Sequence, residues 1–458
     1  MASTAPASSA PGHFLGGVHP PAHKALAAAF PIQALPHPKQ LVVPIQQHIG
    51  APATPCVEAR AALSAGQRIA EAKGFISAHV HAPLAGTAQK PANVTIASGR
   101  HLPAIPITVA ADNPGGEQSF QATLGGHWDL GAIAGLEPSA IAPHVAEAGV
   151  AGMGGAAFPT HVKLSAQEKA PIDTVLVNGC ECEPYLTADD RVMIEAPQAV
   201  LAGALIAARA LAAGRVVIAI EQDKTRAMAS LKEAIAQAGQ ALPGVSVEII
   251  GLTPHYPMGG ERQTIRAALG RIIPEGGLPS AVGTMVINVG SCTAVAAAVL
   301  RGLPMTHRVV TVTGRGIAQP ANLWVPIGTP IEHLIAHCGG LTPQAQRVIS
   351  GGPMMGFALG NLSAPVTKGT SGITVLTDAD LGDAPRTACI RCGRCGEVCP
   401  MRLVPSRLAL ASRHENWDLA RSHHILHCME CGCCSYVCPA SIPLVQWIRV
   451  GKACLPRD

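Results

Sequence analysis

Apolar residues follow different rhythms along the chain, and each rhythm predicts a different kind of element. Between residues 36 and 109, short apolar pieces (Leu41-Val42-Val43, Phe75-Ile76, Val80, Val94-Thr95-Ile96) alternate with proline and glycine, which predicts a small all-β unit. From about residue 139 the rhythm lengthens. Residues 173–178, 215–220 and 245–250 read as strands, and residues 197–213 and 223–237 between them as helices, the first with Pro197 in its opening turn. Strand–helix alternation implies a mostly parallel sheet, whose ligands bind at the carboxyl ends of the strands. Residues 307–349 read strand, loop, strand, helix, strand, with Thr329 as the expected cap and Pro330 at the first helical position. Residues 401–427 hold Leu408, Leu410, Trp417, Leu419 and Leu426 among good helix formers, and Ser406 is the expected cap. Residues 370–386 read as a polar strand and linker, residues 14–24 as a turn-rich surface loop, and residues 1–12 as disordered.

These rhythms predict a multidomain α/β chain. Its parts are a disordered terminus (1–12), an N-terminal β region (13–135), a parallel α/β domain (136–300), a β module (301–375) and a helical unit (376–458). A length of 458 residues fits several cores. The net charge of +4 carries no block of like charge, so nucleic acid is not an expected partner. The uncharged run 276–300 contains Asn288, Ser291 and Thr293, so it is expected to form strand, loop and helix rather than a membrane span. The first residues have neither a basic nor an apolar leader region, so no signal peptide is expected.

The chemistry is most explicit near the C-terminal end. Cys389, Cys392, Cys395 and Cys399 with Pro400, then Cys428, Cys431, Cys434 and Cys438 with Pro439, spell C-x2-C-x2-C-x3-C-P twice. That run binds [4Fe–4S] clusters, and its fourth cysteine serves the other cluster. One cluster is therefore assigned to Cys389, Cys392, Cys395 and Cys438, and a second to Cys428, Cys431, Cys434 and Cys399. Zinc sites favour separated cysteine pairs or Cys/His mixtures, which these runs are not. Cys433 is one cysteine too many and is expected to pack as a small apolar side chain. Eight of the fifteen cysteines are used as thiolates, which argues for a reducing compartment and against a disulfide framework. Two clusters in one helical unit make an electron relay.

Two further motifs fall where a parallel sheet binds ligands. In A-G-M-G-G-A-A-F-P-T (151–160), Gly152, Gly154 and Gly155 remove side chains so that backbone N–H groups can approach an anion or a flat ring; an ordinary tight turn is the alternative. The second motif, N-G-C-E-C-E-P-Y-L-T-A-D-D-R (178–191), directly follows a strand, and a solvated acidic turn is its alternative. Cys180 and Cys182 are one residue apart, awkward for a metal or redox pair. His333 and His337 share a helix face but lack a third ligand in sequence.

These two motifs are similar to the glycine and acidic loops with which the flavin subunit of respiratory complex I holds FMN and NADH. The chain as a whole resembles the C subunit of the Rnf ion-translocating electron transport complex. G-G-V-H-P-P (16–21), N-G-C-E-C-E-P (178–184), S-G-G-P-M-M-G (350–356) and the double cysteine run stand in that family's order. The resemblance implies that Gly152, Gly154, Gly155, Lys163 and Asn178 contact flavin, that Phe158 stacks on nicotinamide, and that Glu181 and Glu183 stand near flavin and nicotinamide. Glu183 and Phe158 are then the residues expected at the hydride-transfer face. Glu261, in Y-P-M-G-G-E (256–261), and Asn288, in V-I-N-V (286–289), fall on the loops closing the pocket. Met153 and Cys180 stand where complex I has arginine and aspartate. The residue 78–88 stretch resembles biotinyl and lipoyl carrier domains without their attachment lysine, and residues 307–349 resemble a β-grasp module.

What the family implies is FMN, NAD(H) and two [4Fe–4S] clusters. It further implies hydride exchange with NADH and electron relay to or from partners. Those partners are multi-span membrane subunits and an iron–sulfur subunit, and the chain is placed peripherally on the cytoplasmic face of a bacterial inner membrane. A soluble flavin/iron–sulfur cobalamin reductase and a non-catalytic iron–sulfur docking protein are the alternatives.

Overall fold

Four neighbouring strands, all running the same way, form the centre of the molecule in the computed structural model, which describes residues 13–165, 170–239, 241, 243–382 and 384–455. The expected disordered terminus 1–12 lies outside the described residues. The strands are β1 (Thr174–Asn178), β2 (Arg215–Glu221), β3 (Ser246–Leu252) and β4 (Thr284–Asn288), in spatial order β3-β2-β1-β4. β1 and β2 are Val/Ile-rich and buried nearly throughout, as expected of a sheet covered on both faces. Helices α1 (Ala188–Glu195), α2 (Pro197–Leu211), α3 (Thr225–Ala238), α4 (Glu261–Leu269) and α5 (Val289–Arg301) surround it. The alanine- and glycine-rich face of α2 lets it approach α5 closely: a Cβ on Gly203 would meet Cys292 backbone oxygen at 1.9 Å. The chain steps outward from β1 through β2 to β3, then crosses back to place β4 on β1's other side. The crevice outside the carboxyl ends of β1 and β4 is thus the switch point at which open parallel sheets bind ligands. β4 runs straight into α5 without the expected loop, because Asn288 itself caps the helix by accepting from the Gly290 N–H.

The N-terminal unit is a barrel sandwich. A five-stranded sheet built on Gln40–Pro44 and His101–Val109 faces a three-stranded sheet built on Arg68–Glu71, and both enclose Leu41, Ile69, Val80, Ile105 and Ile107. The strand–turn–strand at 78–88 spans both sheets, with Val80–His81 in one and Gly86–Ala88 in the other.

The β-grasp module is a six-stranded mixed sheet around its own core, with one helix (Ile331–His337). Three expectations need correction here and in the helical unit. The supposedly polar strand near residue 370, Gly372–Thr377, is buried along its whole length, because it lies between His307–Thr313 and Ala345–Ser350. Pro330, not Thr329, occupies the cap position, and the Thr329 hydroxyl donates to the Pro326 carbonyl instead. Ser406 is not the cap of Pro405–Arg413, since Pro405 takes the first helical turn and Val404 precedes it. One strand of the sheet comes from far upstream: Ile32–Ala34 pairs in parallel with Ala321–Pro326.

The helical unit packs Leu408, Ile425, Val445 and Ile448 from Pro405–Arg413, Ile425–His427 and Leu444–Cys454. Among the described residues no single helix is long and apolar enough to cross a membrane.

Residues 14–24 are not a surface loop. Phe14 and Val18 are buried, and Val18 exchanges backbone hydrogen bonds with Tyr256. The Gly17 N–H donates to Val398 carbonyl at 2.8 Å, and a Cβ on Gly16 would strike the Cys399 backbone at 2.9 Å. His19 and Phe14 both stack on His255. The glycines let this arm thread between the parallel domain and the helical unit, where any side chain would collide.

Candidate functional site

Asn178 and Asn288 are register partners at the carboxyl ends of β1 and β4, so the switch point carries two side-chain amides side by side. The Asn178 amide donates to Gly259 carbonyl at 2.8 Å, and its oxygen accepts from the Cys180 N–H. The Asn288 amide donates to Asp189 at 2.6 Å. The glycine loop closes over this edge through the bridge Ala151–Pro159 and the Gly152 N–H to Phe158 carbonyl bond. Ser291 anchors it by accepting from the Met153 N–H at 2.8 Å. Gly154 has φ +77°, and a Cβ there would stand 2.7 Å from the Asn288 amide nitrogen; Gly154 and Gly155 are exposed and Phe158 is half-buried. Lys163 follows on the short helix Thr160–Leu164, donates to Val286 carbonyl at 3.1 Å and faces Glu261 at 3.4 Å. Gly152, Gly154, Gly155, Lys163, Asn178, Glu261 and Asn288 therefore converge on the sheet's carboxyl edge.

The acidic loop turns its two carboxylates apart. Glu181, at φ +44°, accepts from the Asp189 and Asp190 N–H groups at the start of α1, a favourable place for an anion. Glu183 accepts from the Met354 and Met355 N–H groups of the S-G-G-P-M-M-G loop through one oxygen, while its other oxygen is buried without a partner. Burial pushes both carboxyls up to about 7. Sequence reasoning missed Lys24. Its ammonium donates to the carbonyls of Glu181 at 2.7 Å, Glu183 at 3.1 Å and Leu186, which pins the acidic loop from the N-terminal arm. Nothing local to K-A-L marks it, because its partners lie more than 150 residues away.

Cys180 is buried and Cys182 accepts from the Gly259 N–H at 3.2 Å, so both help fix the loop. His333 is engaged with Pro36 carbonyl.

The cysteine runs repeat in backbone as well as in sequence. Left-handed residues recur at the same places in each, Arg391 with Glu430, Gly393 with Gly432 and Arg402 with Ser441, and each glycine precedes a one-turn helix. Cys399, Cys428, Cys431 and Cys434 line one cavity, with Cys433 beside them and Leu408 and Ile448 behind it. Backbone N–H groups of Leu403 and Glu430 point at the Cys399 and Cys428 sulfurs at 3.4 Å. A set of four sulfurs from two loops around an enclosed space fits a cubane. Cys395 and Cys438 pack on the helical unit's core, while Cys389 and Cys392 are exposed. Cys433 is buried as expected.

The two halves of the site meet. The Tyr256 hydroxyl donates to Cys431 carbonyl at 2.6 Å, and Val18, Tyr256, Cys431 and Cys433 form one buried cluster with Cys182 and Met354 against it.

Residues 12–113 match the RnfC barrel sandwich hybrid domain, residues 145–297 the Nuo51 FMN-binding domain, residues 309–358 the SLBB domain and residues 386–442 the 4Fe-4S dicluster domain. The C subunit of the proton-translocating ferredoxin:NAD(+) oxidoreductase complex of Clostridium ljungdahlii is 40% identical over 441 residues, 96% of this chain and 93% of that protein. The C subunit of the ion-translocating oxidoreductase complex of Rhodobacter capsulatus is 41% identical over 96% of this chain and 82% of its own length. The C subunit of the Na(+)-translocating ferredoxin:NAD(+) oxidoreductase complex of Acetobacterium woodii is 38% identical over 96% of each. The fold is shared with a chain of an NAD+-reducing [NiFe]-hydrogenase crystallised in the H2-reduced state, at TM-score 0.53 and 22% identity over 75% of this chain and 67% of that one.

Proposed function

The chain belongs to the family of C subunits of ion-translocating oxidoreductase complexes, and from that premise we propose that it exchanges hydride with NAD(H) at FMN and relays electrons through two [4Fe–4S] clusters. The observation that carries this reading is the Tyr256–Cys431 hydrogen bond, which sets a loop of the switch-point crevice directly against the second cysteine run. FMN, when bound, takes a hydride's two electrons together and releases them singly, which matches it to one-electron clusters.

The chain's own residues divide the work. The glycine loop leaves its backbone open to a phosphate or ring edge, and Lys163 supplies a positive charge beside it. Asn178 and Asn288 hold the crevice floor by fixing Gly259 and Asp189. Phe158 offers an apolar face for a nicotinamide ring. Glu183's unpartnered oxygen is the buried acceptor that a donor on the nucleotide would satisfy. Cys399, Cys428, Cys431 and Cys434 would ligate the cluster nearer the crevice, and Cys389, Cys392, Cys395 and Cys438 the more exposed one. An exposed second cluster suits electron exchange with an iron–sulfur partner, and the chain would sit peripherally on the cytoplasmic face of the inner membrane, whose multi-span subunits would move the ion.

Anaerobic purification with flavin and iron analysis, followed by NADH titration with an artificial acceptor, tests the reading. We expect one FMN, about eight irons per chain for two four-iron clusters, and NADH oxidation. A preparation with full iron that binds FMN but is not reduced by NADH overturns it.

A further inference from the structure

We propose that Glu275, His424 and His427 form a divalent transition-metal site, best suited to Zn2+, that ties the parallel domain to the helical unit just ahead of Cys428. Glu275 lies on the loop after α4, and the two histidines lie on and beside the turn Ile425–His427. The Nδ1 atoms of His424 and His427 stand 3.6 and 3.5 Å from the same carboxylate oxygen of Glu275. These separations are too long for hydrogen bonds. They do match two ligand atoms sharing one ion: zinc bonds of about 2.1 Å at a tetrahedral angle leave ligand atoms about 3.4 Å apart. All three ligand atoms lie within 4.8 Å of one another.

Both sides of the site are held in place. Arg262 donates to the carbonyls of Ile273, Pro274 and Gly277, clamping the loop that carries Glu275. His424 adopts φ +59°, an unfavourable backbone for a non-glycine residue, and that conformation is fixed by the turn hydrogen bonds around it and by the wholly buried Ile425. Two imidazoles and one carboxylate suit zinc, and the exposure of Glu275 and His424 leaves water to complete the coordination. An ion here would add positive charge one residue from a proposed cluster ligand and staple the two units that electrons must cross. The site does not rest on the flavin or NADH reading.

The test uses the full chain with its clusters intact, titrated anaerobically with Zn2+ against a chromophoric zinc chelator. Wild type should bind one more Zn2+ per chain than Glu275→Gln or the double variant His424→Ala/His427→Ala, whose affinity should fall at least about tenfold, the scale already seen for loss of mere outer-shell partners. Both variants alter exposed or half-exposed side chains, and iron content is checked in parallel. Hydrogen exchange is the second readout: Zn2+ should slow amides in both 272–277 and 424–428 in wild type only. Equal Zn2+ uptake by wild type and variants, no uptake below millimolar Zn2+, or slowing confined to 424–428 would each overturn the proposal; a proton-linked His–Glu ion pair predicts the second of these.

Discussion

Glu183 presents one carboxylate oxygen to two backbone N–H groups and leaves the other buried and bare. Burial raises its carboxyl from 4.5 to about 7. The folded chain therefore binds more protons than the unfolded chain between these values, and Glu183's contribution to stability is lost as pH rises through about 7. Glu183→Gln should weaken NADH binding roughly ten- to a hundredfold, the worth of a charged hydrogen bond of about 1.5–3 kcal/mol, with flavin and iron retained. Wild-type NADH concentration dependence in this variant would exclude Glu183 from the nucleotide site, whereas Lys163→Ala should loosen flavin instead. Gly154→Val combines a Cβ 2.7 Å from the Asn288 amide with a side chain at φ +77°. It should lose flavin absorbance and NADH oxidation at normal iron content, and retained flavin would mean that the loop is only a turn. The glycine loop was legible from its composition and Asn178 from its place at a strand end, whereas Lys163 and Asn288 were named through the family resemblance. The direction of each carboxylate was not, because it depends on whether the nearest free N–H groups belong to α1 or to a loop about 170 residues downstream.

At the scale of elements, the repeated cysteine loops show how a short pattern dictates backbone. Three left-handed residues recur at matching places in each loop. Cys399 lies in the cavity of the other run, so Cys399→Ser should alter the paramagnetic resonance of the cluster held by Cys428, Cys431 and Cys434. A change confined to the Cys389 cluster would contradict crossed ligation. The strands and helices of the parallel domain were readable from periodicity, since β-branched runs and small apolar helices leave few other choices. Helix starts were less so: Pro405 and Pro330 decide them by fixed φ, and the hydroxyl of Ser406 falls two residues past the cap position and that of Thr329 one residue before it. Gly372–Thr377 misled because its threonines look solvent-facing, yet Thr374 donates to Gly351 carbonyl inside the sheet.

Across the whole molecule, Lys368 joins three units. Its buried ammonium donates to His79 carbonyl of the barrel and Gly149 carbonyl of the parallel domain at 2.7 and 2.6 Å, and its own N–H donates to Gln47. Burial without a carboxylate lowers its pKa from 10.5 to about 7. Two acceptors are what a neutral amine with two N–H bonds can satisfy. Between pH 7 and 10.5 the unfolded chain binds the extra proton, so stability should rise with pH across that window and fall as pH drops through about 7. Lys368→Met should flatten this slope in urea unfolding, and an unchanged slope would mean that the lysine stays charged. Links of this kind were invisible in the sequence, as was the pairing of Ile32–Ala34 with Ala321–Pro326, because neither partner's local pattern names the other.

The N-terminal arm makes the order of synthesis matter. Gly17 bonds Val398, 381 residues later. At about 5–20 residues per second, the arm must wait roughly 20–75 s on the ribosome before this partner exists. Through that interval a segment of glycine, proline and histidine is a poor template for wrong β pairing. The arm's contacts with Val398 and Cys399 can form only once that part of the helical unit has been made.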